Sequence, residues 1–280
     1  MSQAQTTARI PESTFFFDSK YLRDLALSHE KSYAQAQPFP HAVFDDFLPV
    51  EVAERLLSEF PAFDKDKWNN YNELFVRAGK YESLSELQLS PFIRCFLYHL
   101  NSSTFLNFLE LLSGINGLIP DPEIGKTLRH YVRGGYLAVH TDFNWHRKLK
   151  LHRRLNVILY MNKDWKPEYG GNLELWDSSM KFCVKKIAPL YNRCVIFTTT
   201  DTSYHGLPDP LNCPEGVTRK TFQLYYYTQE SPSEGIAKQY GSVFRTRPQD
   251  RWGKYRMVSA FLRKCTPPIV IDIIKRFLRR

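Results

Sequence analysis

Six short segments rich in β-branched and aromatic residues follow one another between residues 126 and 229, and they constrain the fold more than any other feature of the chain. Gly, Pro, Asn and Asp separate them, and no helical periodicity lies between them. The segments are residues 128–140, 154–162, 171–177, 181–188, 193–199 and 219–228. This spacing predicts a mainly β protein with supporting helices, whose core is an antiparallel barrel or sandwich of the jelly-roll type. A βαβ fold is excluded, because its crossover helices are missing.

The chain of 280 residues is long enough for one large domain or two modest ones, and we divide it into three regions. Residues 1–125 form a support region of helices and a strand that packs on the core, residues 126–229 form the β core, and residues 230–280 form a basic helical tail. Within the first region, the pattern predicts a strand over 41–48 and helices over 50–60 and 97–112, the second capped by Ser102 or Ser103. Residues 1–38 are polar and turn-rich, and we expect them to lie across the surface.

The formal net charge of +9 is concentrated at one end of the chain. Residues 245–280 hold eleven basic and two acidic side chains, whereas the rest of the chain holds 27 of each. A second, local basic run covers residues 146–154. A tail and one loop therefore carry the charge, which favours a docking element and argues against a basic cleft for nucleic acid.

The end of this tail has an amphipathic pattern. On a helical wheel, one arc of roughly 200° holds the apolar side chains. They are Ile269, Val270, Ile271, Ile273, Ile274, Phe277 and Leu278. Two interpretations stay open: a terminal helix packed on the domain, or a peripheral anchor to an anionic membrane or an acidic partner.

Other sequence features bear on the compartment. No apolar run approaches the roughly 20 residues that a spanning helix requires, and the first residues lack the apolar region of a signal peptide. The five cysteines form no CxxC pair, which argues against a zinc site or a disulfide framework. We therefore expect a cytoplasmic protein, with membrane association through the tail as an addition.

The chemistry is concentrated in a short motif and one distant histidine. His140 and Asp142 stand at positions i and i+2 of a predicted strand, so both side chains point to the same face. His205 follows another predicted strand 65 residues later, where a neighbouring strand could deliver it to the same point. Two histidines and one carboxylate on one face of a metal leave three positions open, which is the arrangement of non-haem Fe(II) sites.

Arg219 begins the last predicted strand, 14 residues after His205. A guanidinium there can bind a carboxylate through two hydrogen bonds, as anchoring a dicarboxylic keto acid requires. If Arg219 and not Lys220 faces the interior, so do Thr221, Gln223, Tyr225 and Tyr227. The His140 and Asp142 pair, His205 and Arg219 are each weak evidence when taken alone. Together, their residue types, order and strand context are specific for a metal site. We interpret the remaining histidines as surface or core residues: His29, His41, His99, His130, His146 and His152.

In these residues the sequence resembles the Fe(II)- and 2-oxoglutarate-dependent dioxygenases, in particular their prolyl-4-hydroxylase-like branch. The resemblance covers residues 126–228 through HYVRGGYLAVHTD, LNVILYMNKDW, GGNLELWD, SYHGLP and TRKTFQLYYYT, with a looser likeness over 38–61. It implies a double-stranded β-helix core and iron ligands at His140, Asp142 and His205. It further implies that Arg219 holds the distal carboxylate of 2-oxoglutarate, in a pocket lined by Tyr160, Tyr131 and Leu173.

The resemblance also implies an activity. Fe(II), 2-oxoglutarate and O2 would hydroxylate an unactivated C–H bond with release of succinate and CO2, without catalytic residues beyond the metal ligands and with ascorbate as a repair reductant. A peptidyl proline is the leading substrate. A free amino acid, a sugar or a lipid-linked metabolite near a membrane is the alternative.

The sequence leaves open several interpretations of the barrel and of its single residues. A cupin-like binding module without activity would share the barrel, but its HxH signature is absent and no ligand of the triad is lost. A nucleic-acid demethylase would carry a second arginine six residues after Arg219, where Tyr225 stands. The residues alone leave open whether Tyr160 is only a core aromatic and whether Gly170 and Gly171 only form a turn. Asn156 is either a partner of a metal ligand or a buried structural amide.

Overall fold

The computed structural model of the chain describes residues 17–73, 76–229 and 240–250. The amphipathic pattern of residues 269–278 lies outside these described residues. In the described part, the α-helices are α1 (Ser19–Gln35), α2 (Val50–Ser58), α3 (Pro91–Leu100) and α4 (Ser103–Ser113). The strands are β1 (His41–Phe44), β2 (Asn69–Asn70), β3 (Arg77–Glu82), β4 (Ile119–Pro120), β5 (Leu128–Thr141), β6 (Trp145–His146), β7 (Leu151–Tyr160), β8 (Leu173–Trp176), β9 (Cys183–Ile187), β10 (Arg193–Thr198), β11 (His205–Leu207), β12 (Arg219–Thr228) and β13 (Val243–Phe244).

The strands form one curled antiparallel sheet, which confirms the prediction of a mainly β fold with a double-stranded β-helix core. Its main path runs β1-β10-β7-β12-β5-β11-β8-β9. Most neighbours on this path are distant in the sequence, as expected when a long antiparallel ribbon folds back on itself. One consequence is that β11 lies beside β5, with His205 directly opposite His140.

Every one of the six predicted segments contains a strand, and β1 also lies where the sequence predicts it. The strands β3 and β11 are among those that the sequence does not predict. β3 alternates poorly, because Arg77, Gly79 and Lys80 interrupt its apolar pattern. β11 has only three residues, too few to show a period of two.

The expectation for residues 1–38 is wrong in one segment, since residues 19–35 form the 17-residue helix α1. Asp18 caps this helix by accepting a hydrogen bond from the backbone N–H of Tyr21 at 2.9 Å. Leu22, Ala26 and Tyr33 are its buried side chains. So few apolar residues in a polar stretch produce a weak helical pattern, although they anchor the helix in the core.

The predicted helix over 97–112 is two helices, α3 and α4, which meet at Asn101 and Ser102. Ser90 caps α3, and Pro91 occupies the first turn, where its missing N–H costs nothing. Ser102 caps α4, as the sequence predicts, and Gly114 ends it in a left-handed conformation.

The helices cover the outer face of the sheet. Phe96 and Phe105 belong to the same buried cluster as Phe222 and Tyr226, which point outward from β12. The Phe96 and Phe222 ring centroids lie 5.6 Å apart. The helical layer therefore covers the outer face only, and the inner face carries polar groups together with a second apolar cluster that contains Ile158, Val195 and Phe197. No helix of the described residues is long and apolar enough to cross a membrane. The boundaries at residues 125 and 229 stay predictions.

Candidate metal centre

Three predicted ligands meet at one point inside the curled sheet. His140 is near the end of β5, Asp142 follows that strand, and His205 begins β11. One ligand atom from each of the three side chains lies within 4.8 Å of the others. The His140 Nε2 atom is 3.6 Å from Asp142 Oδ1, and His205 Nε2 is 3.4 Å from Asp142 Oδ2. These side chains are no more than 10% exposed, so the sheet shields the centre from bulk water.

Both histidines are held in the tautomer that a metal requires. His140 Nδ1 hydrogen-bonds to the Ala138 carbonyl at 2.9 Å, and His205 Nδ1 to the Ser203 carbonyl at 2.9 Å. Because a carbonyl can only accept, Nδ1 carries a proton in both rings, and each Nε2 faces Asp142 as the nitrogen that can bind a metal. The donor set thus fits a divalent transition metal such as Fe(II).

The protonation states agree with this role. Burial lowers the pKa of His205 to about 4, so its imidazole is neutral at physiological pH. Burial alone would raise the pKa of Asp142, but the Arg153 guanidinium and the adjacent His205 hold it well below its usual range. The centre therefore offers a neutral imidazole at His205 and a carboxylate at Asp142.

Two further side chains bind Asp142. Asn156 donates its Nδ2 to Asp142 Oδ2 at 2.7 Å, and Arg153 Nη2 lies 3.0 Å from the same oxygen. Asn156 is therefore a partner of a metal ligand and not only a buried structural amide, since it contacts the Asp142 carboxylate.

Sequence reasoning missed Arg153, because strict alternation along β7 would place Arg154 and not Arg153 on the face of Asn156. The pairing of β7 with β12 slips by one residue at this point: Tyr226 faces Leu155, but Tyr227 faces Arg153. This irregularity turns Arg153 toward the centre. Nothing in the sequence signals such a slip.

A strand beyond the six predicted ones covers the metal centre. β13 pairs with the end of β5, so that Phe244 lies opposite His140. The Phe244 and His140 rings stack, with centroids 5.1 Å apart and an interplanar angle of 28°. The sequence assigns this segment to a helical tail, but its described residues, 240–250, contain this short strand and no helix.

Arg219 lies on the inner face of β12 and is 5% exposed. Its Nε donates to the Gly171 carbonyl at 2.9 Å, and its Nη2 donates to the Tyr160 hydroxyl at 3.3 Å. The guanidinium carbon is 5.4 Å from the centre of the Tyr131 ring. Within the described residues, no acidic side chain forms an ion pair with Arg219. A buried guanidinium in this state fits the carboxylate of a ligand.

The surroundings of Arg219 complete a small polar pocket. The Thr221 hydroxyl is buried and has no hydrogen-bond partner within the described residues, and Thr221 lies directly opposite Tyr160 in the sheet. Leu173 packs in the same buried cluster as Tyr160. Gly171 has a φ of +81°, and a Cβ there would come within 2.7 Å of Leu211 Cδ2 and 3.2 Å of Arg219 Cδ. Gly171 therefore does more than form a turn, because it lets its carbonyl approach the arginine.

Comparisons with known proteins agree with this geometry. Residues 127–227 match the family model of the 2OG-Fe(II) oxygenase superfamily. Over 207 residues the chain is 27% identical to prolyl 3-hydroxylase OGFOD1 of Mus musculus, covering 71% of this chain and 35% of that protein. It is 23% identical over 206 residues to the Xenopus laevis protein of the same name, covering 71% of this chain and 37% of the relative. The chain thus spans about a third of the length of these relatives.

A solved structure shows the same fold. It is a prolyl hydroxylase of Trichoplax adhaerens in complex with a hypoxia inducible factor oxygen degradation domain peptide fragment. The TM-score is 0.56 at 17% identity, with 75% of this chain and 92% of that chain covered. The family match contains the whole His140, Asp142 and His205 cluster together with Arg219. Residues 127–227 of the chain thus match the 2OG-Fe(II) oxygenase superfamily, and the chain is similar to prolyl hydroxylases in sequence and in fold.

Proposed function

We propose that this chain is an Fe(II)- and 2-oxoglutarate-dependent dioxygenase that hydroxylates a peptidyl proline. One observation carries the proposal: the two histidines and the carboxylate share the interior of the sheet with a buried arginine that has no acidic partner in the described chain. A metal site and a site for an acidic ligand inside one barrel are what a keto-acid-dependent oxygenase requires.

Each residue has a role in this proposal. His140, Asp142 and His205 hold the iron, and Arg219 binds the distal carboxylate of 2-oxoglutarate. Tyr160 and the unpartnered Thr221 hydroxyl add hydrogen bonds to that carboxylate. A hydrogen bond to a charged group contributes about 1.5–3 kcal/mol, so the arginine accounts for much of the co-substrate affinity. Tyr131 and Leu173 form the walls of the pocket and keep water away from it.

The bound iron supplies the chemistry, in which oxidative decarboxylation of 2-oxoglutarate to succinate and CO2 is coupled to hydroxylation of a substrate C–H bond. The chain itself binds and orients the reactants. No acid or base is needed at the reacting carbon, so no further catalytic side chain is assigned.

The substrate class is supported by the relatives, which are prolyl 3-hydroxylases by name. A free amino acid, a sugar or a lipid-linked metabolite has no comparable support. An inactive cupin-like module is disfavoured, because all three ligand side chains are present with their lone pairs directed at one point. Ascorbate as a reductant, a cytoplasmic location and docking of residues 245–280 on an anionic membrane or an acidic partner are further proposals.

The test is peptide hydroxylation followed by mass spectrometry. The full chain would be incubated with Fe(II), 2-oxoglutarate, ascorbate and a library of proline-containing peptides, next to the same peptides with proline replaced by alanine. We expect addition of one oxygen atom on proline, in proportion to succinate formed.

His205→Ala provides the matched control and should give neither product. Stoichiometric succinate formation driven by a free amino acid or a sugar, with every peptide unmodified, would refute the substrate. Absence of succinate under all conditions would refute the oxygenase.

A further inference from the structure

We propose that Arg153 and Asn156 together hold one oxygen of Asp142 away from the metal, so that Asp142 binds through a single oxygen and leaves a coordination position open for the co-substrates. This inference rests on the proposed function, because it assigns a purpose to positions on the iron. Neither residue is a metal ligand. Both are positioning residues that act through Asp142.

The contacts of the carboxylate are asymmetric. Oδ2 receives two donors, Asn156 Nδ2 at 2.7 Å and Arg153 Nη2 at 3.0 Å. Two donors occupy the lone pairs of that oxygen. Each oxygen faces one histidine, Oδ1 at 3.6 Å from His140 Nε2 and Oδ2 at 3.4 Å from His205 Nε2, so only the two donors distinguish the oxygens. The two donors on Oδ2 therefore assign Oδ1 as the ligand atom and Oδ2 as the held atom.

Arg153 is fixed in place by its other neighbours. Its Nε and Nη2 donate to Asn156 Oδ1 at 3.1 and 2.6 Å, so the two holding residues also bind each other. The guanidinium lies over the Tyr225 ring at 3.6 Å and the Phe143 ring at 4.7 Å. Its side chain is 2% exposed. These contacts hold the Arg153 guanidinium beside Oδ2.

Single-oxygen binding matters because of the number of ligands. Two imidazoles and one oxygen leave three positions on an octahedral ion, and a chelating keto acid plus O2 need all three. If the Asp142 carboxylate bound through both oxygens, its second oxygen would occupy one of these three positions. Among the described contacts of Asp142, only those with Arg153 and Asn156 oppose binding of the metal through both oxygens.

Arg153 also places a positive charge beside a cation, which opposes metal binding. Metal affinity alone therefore does not account for a guanidinium at this position. Removing the pair should therefore leave metal binding as strong as before, or stronger, while it weakens 2-oxoglutarate binding. A role confined to orienting Asp142 predicts the opposite for the metal.

The experiment uses the full chain and Mn(II), a redox-inert probe, without O2. Variants are Arg153→Met and the double variant Arg153→Met, Asn156→Leu. Arg154→Met is the matched control, because this neighbour donates to the Thr228 hydroxyl at 3.3 Å and not to Asp142. Three quantities are measured: the Mn(II) dissociation constant, the number of waters on protein-bound Mn(II) from broadening by ¹⁷O-water, and the 2-oxoglutarate dissociation constant.

For the double variant we expect unchanged or tighter Mn(II) binding, one bound water fewer than in the wild type, and 2-oxoglutarate binding weakened roughly tenfold or more. The control should match the wild type. An unchanged number of waters with unchanged 2-oxoglutarate affinity would overturn the proposal, and so would weaker Mn(II) binding with the water number retained.

If the methionine variants do not fold, Arg153→Lys is used, because lysine keeps the charge but cannot bind Asn156 and Asp142 together. The number of waters and the 2-oxoglutarate affinity are then the deciding readings, since the retained charge leaves the Mn(II) affinity uninformative. These readings need no turnover. Failure of the proposed function would appear instead as absence of succinate from a wild-type protein that binds Mn(II) normally.

Discussion

Strand β5 carries two histidines ten residues apart, and their surroundings differ in one decisive respect. His130 uses both ring nitrogens within the protein: Nε2 donates to the Pro61 carbonyl at 3.0 Å, and Nδ1 accepts from the Thr218 hydroxyl at 2.7 Å. His140 uses only Nδ1 in this way, and its Nε2 faces Asp142 and the second histidine of the centre.

Burial and pKa do not distinguish a structural histidine from a ligand in this protein. Burial lowers the pKa of His130 to about 4 and that of His205 to about 4 as well. The Trp68 ring centroid lies 4.4 Å from that of His130, whereas a carboxylate lies beside His205. The difference lies in the ring nitrogens. A candidate ligand such as His140 has its Nε2 facing the other ligands of the centre, whereas the core residue His130 has both ring nitrogens hydrogen-bonded within the protein.

The largest expected effect is on metal binding. Replacing His205 with alanine removes one of three ligands, so we expect Mn(II) or Fe(II) binding to fall below detection. His130→Gln should keep wild-type metal affinity, because its ring does not reach the centre. Titration calorimetry of both variants checks this. Equal loss of metal in the two would break the distinction drawn between the histidines.

The next effect concerns the co-substrate. Arg219→Ala removes a buried, charged hydrogen bond, and a loss of about 1.5–3 kcal/mol corresponds to a roughly 10- to 100-fold higher KM for 2-oxoglutarate. Arg219→Lys should lie between this variant and the wild type. Lys220→Ala is the control, because Lys220 alternates to the other face of β12. A larger effect at Lys220 would contradict the assignment.

A third effect is the pH dependence of stability from His130. Its folded-state pKa of about 4 lies below the ordinary value, so folding favours the neutral ring. The associated stability is complete above about pH 6.5 and is lost as pH falls toward 4. Lys220, the charged neighbour of the ring, lowers the pKa in the same sense.

Urea unfolding at pH 7.5 and pH 5 measures this loss. The difference in unfolding free energy between the wild type and His130→Gln should shrink by about 2 kcal/mol at the lower pH. Comparison with the variant cancels the contribution of His205, which has the same sign. A difference that stays constant would show that His130 is not held neutral by the fold.

The smallest effect is expected at Phe244, whose ring stacks on His140. Such an aromatic contact is worth about 0.5–1.5 kcal/mol. Phe244→Ala should therefore weaken Mn(II) binding by a few-fold and leave the affinity for 2-oxoglutarate, measured at saturating metal, unchanged. Phe244→Leu should recover part of the metal affinity. If Phe244→Ala lost as much Mn(II) affinity as His205→Ala, the Phe244 contact would be essential for metal binding, which contradicts the small effect expected here.

The sequence predicts the β core and the meeting of His140, Asp142 and His205, since both depend on local alternation and on residue types with a specific chemistry. The inward position of Arg219 follows from the same alternation. Alternation repeats every two residues and needs no knowledge of distant contacts, whereas the expected position of His205 beside His140 follows from the family resemblance.

The features that the sequence does not reveal depend on long-range packing. Arg153 reaches Asp142 only because the pairing of β7 with β12 slips by one residue. Phe244 reaches His140 only because β13 returns to the end of β5. Helix α1 is stabilised by the few side chains it buries, whereas its own pattern is weak.

The central claim, that the cluster and Arg219 form one oxygenase site, is tested most directly by O2-dependent succinate formation. The wild type should form succinate from 2-oxoglutarate only when Fe(II) and O2 are both present, and removal of Fe(II) by a chelator should stop the reaction reversibly. Asp142→Ala should form none at any Fe(II) concentration while its thermal unfolding shows that it is folded. Succinate formation by Asp142→Ala at the wild-type rate would contradict the account.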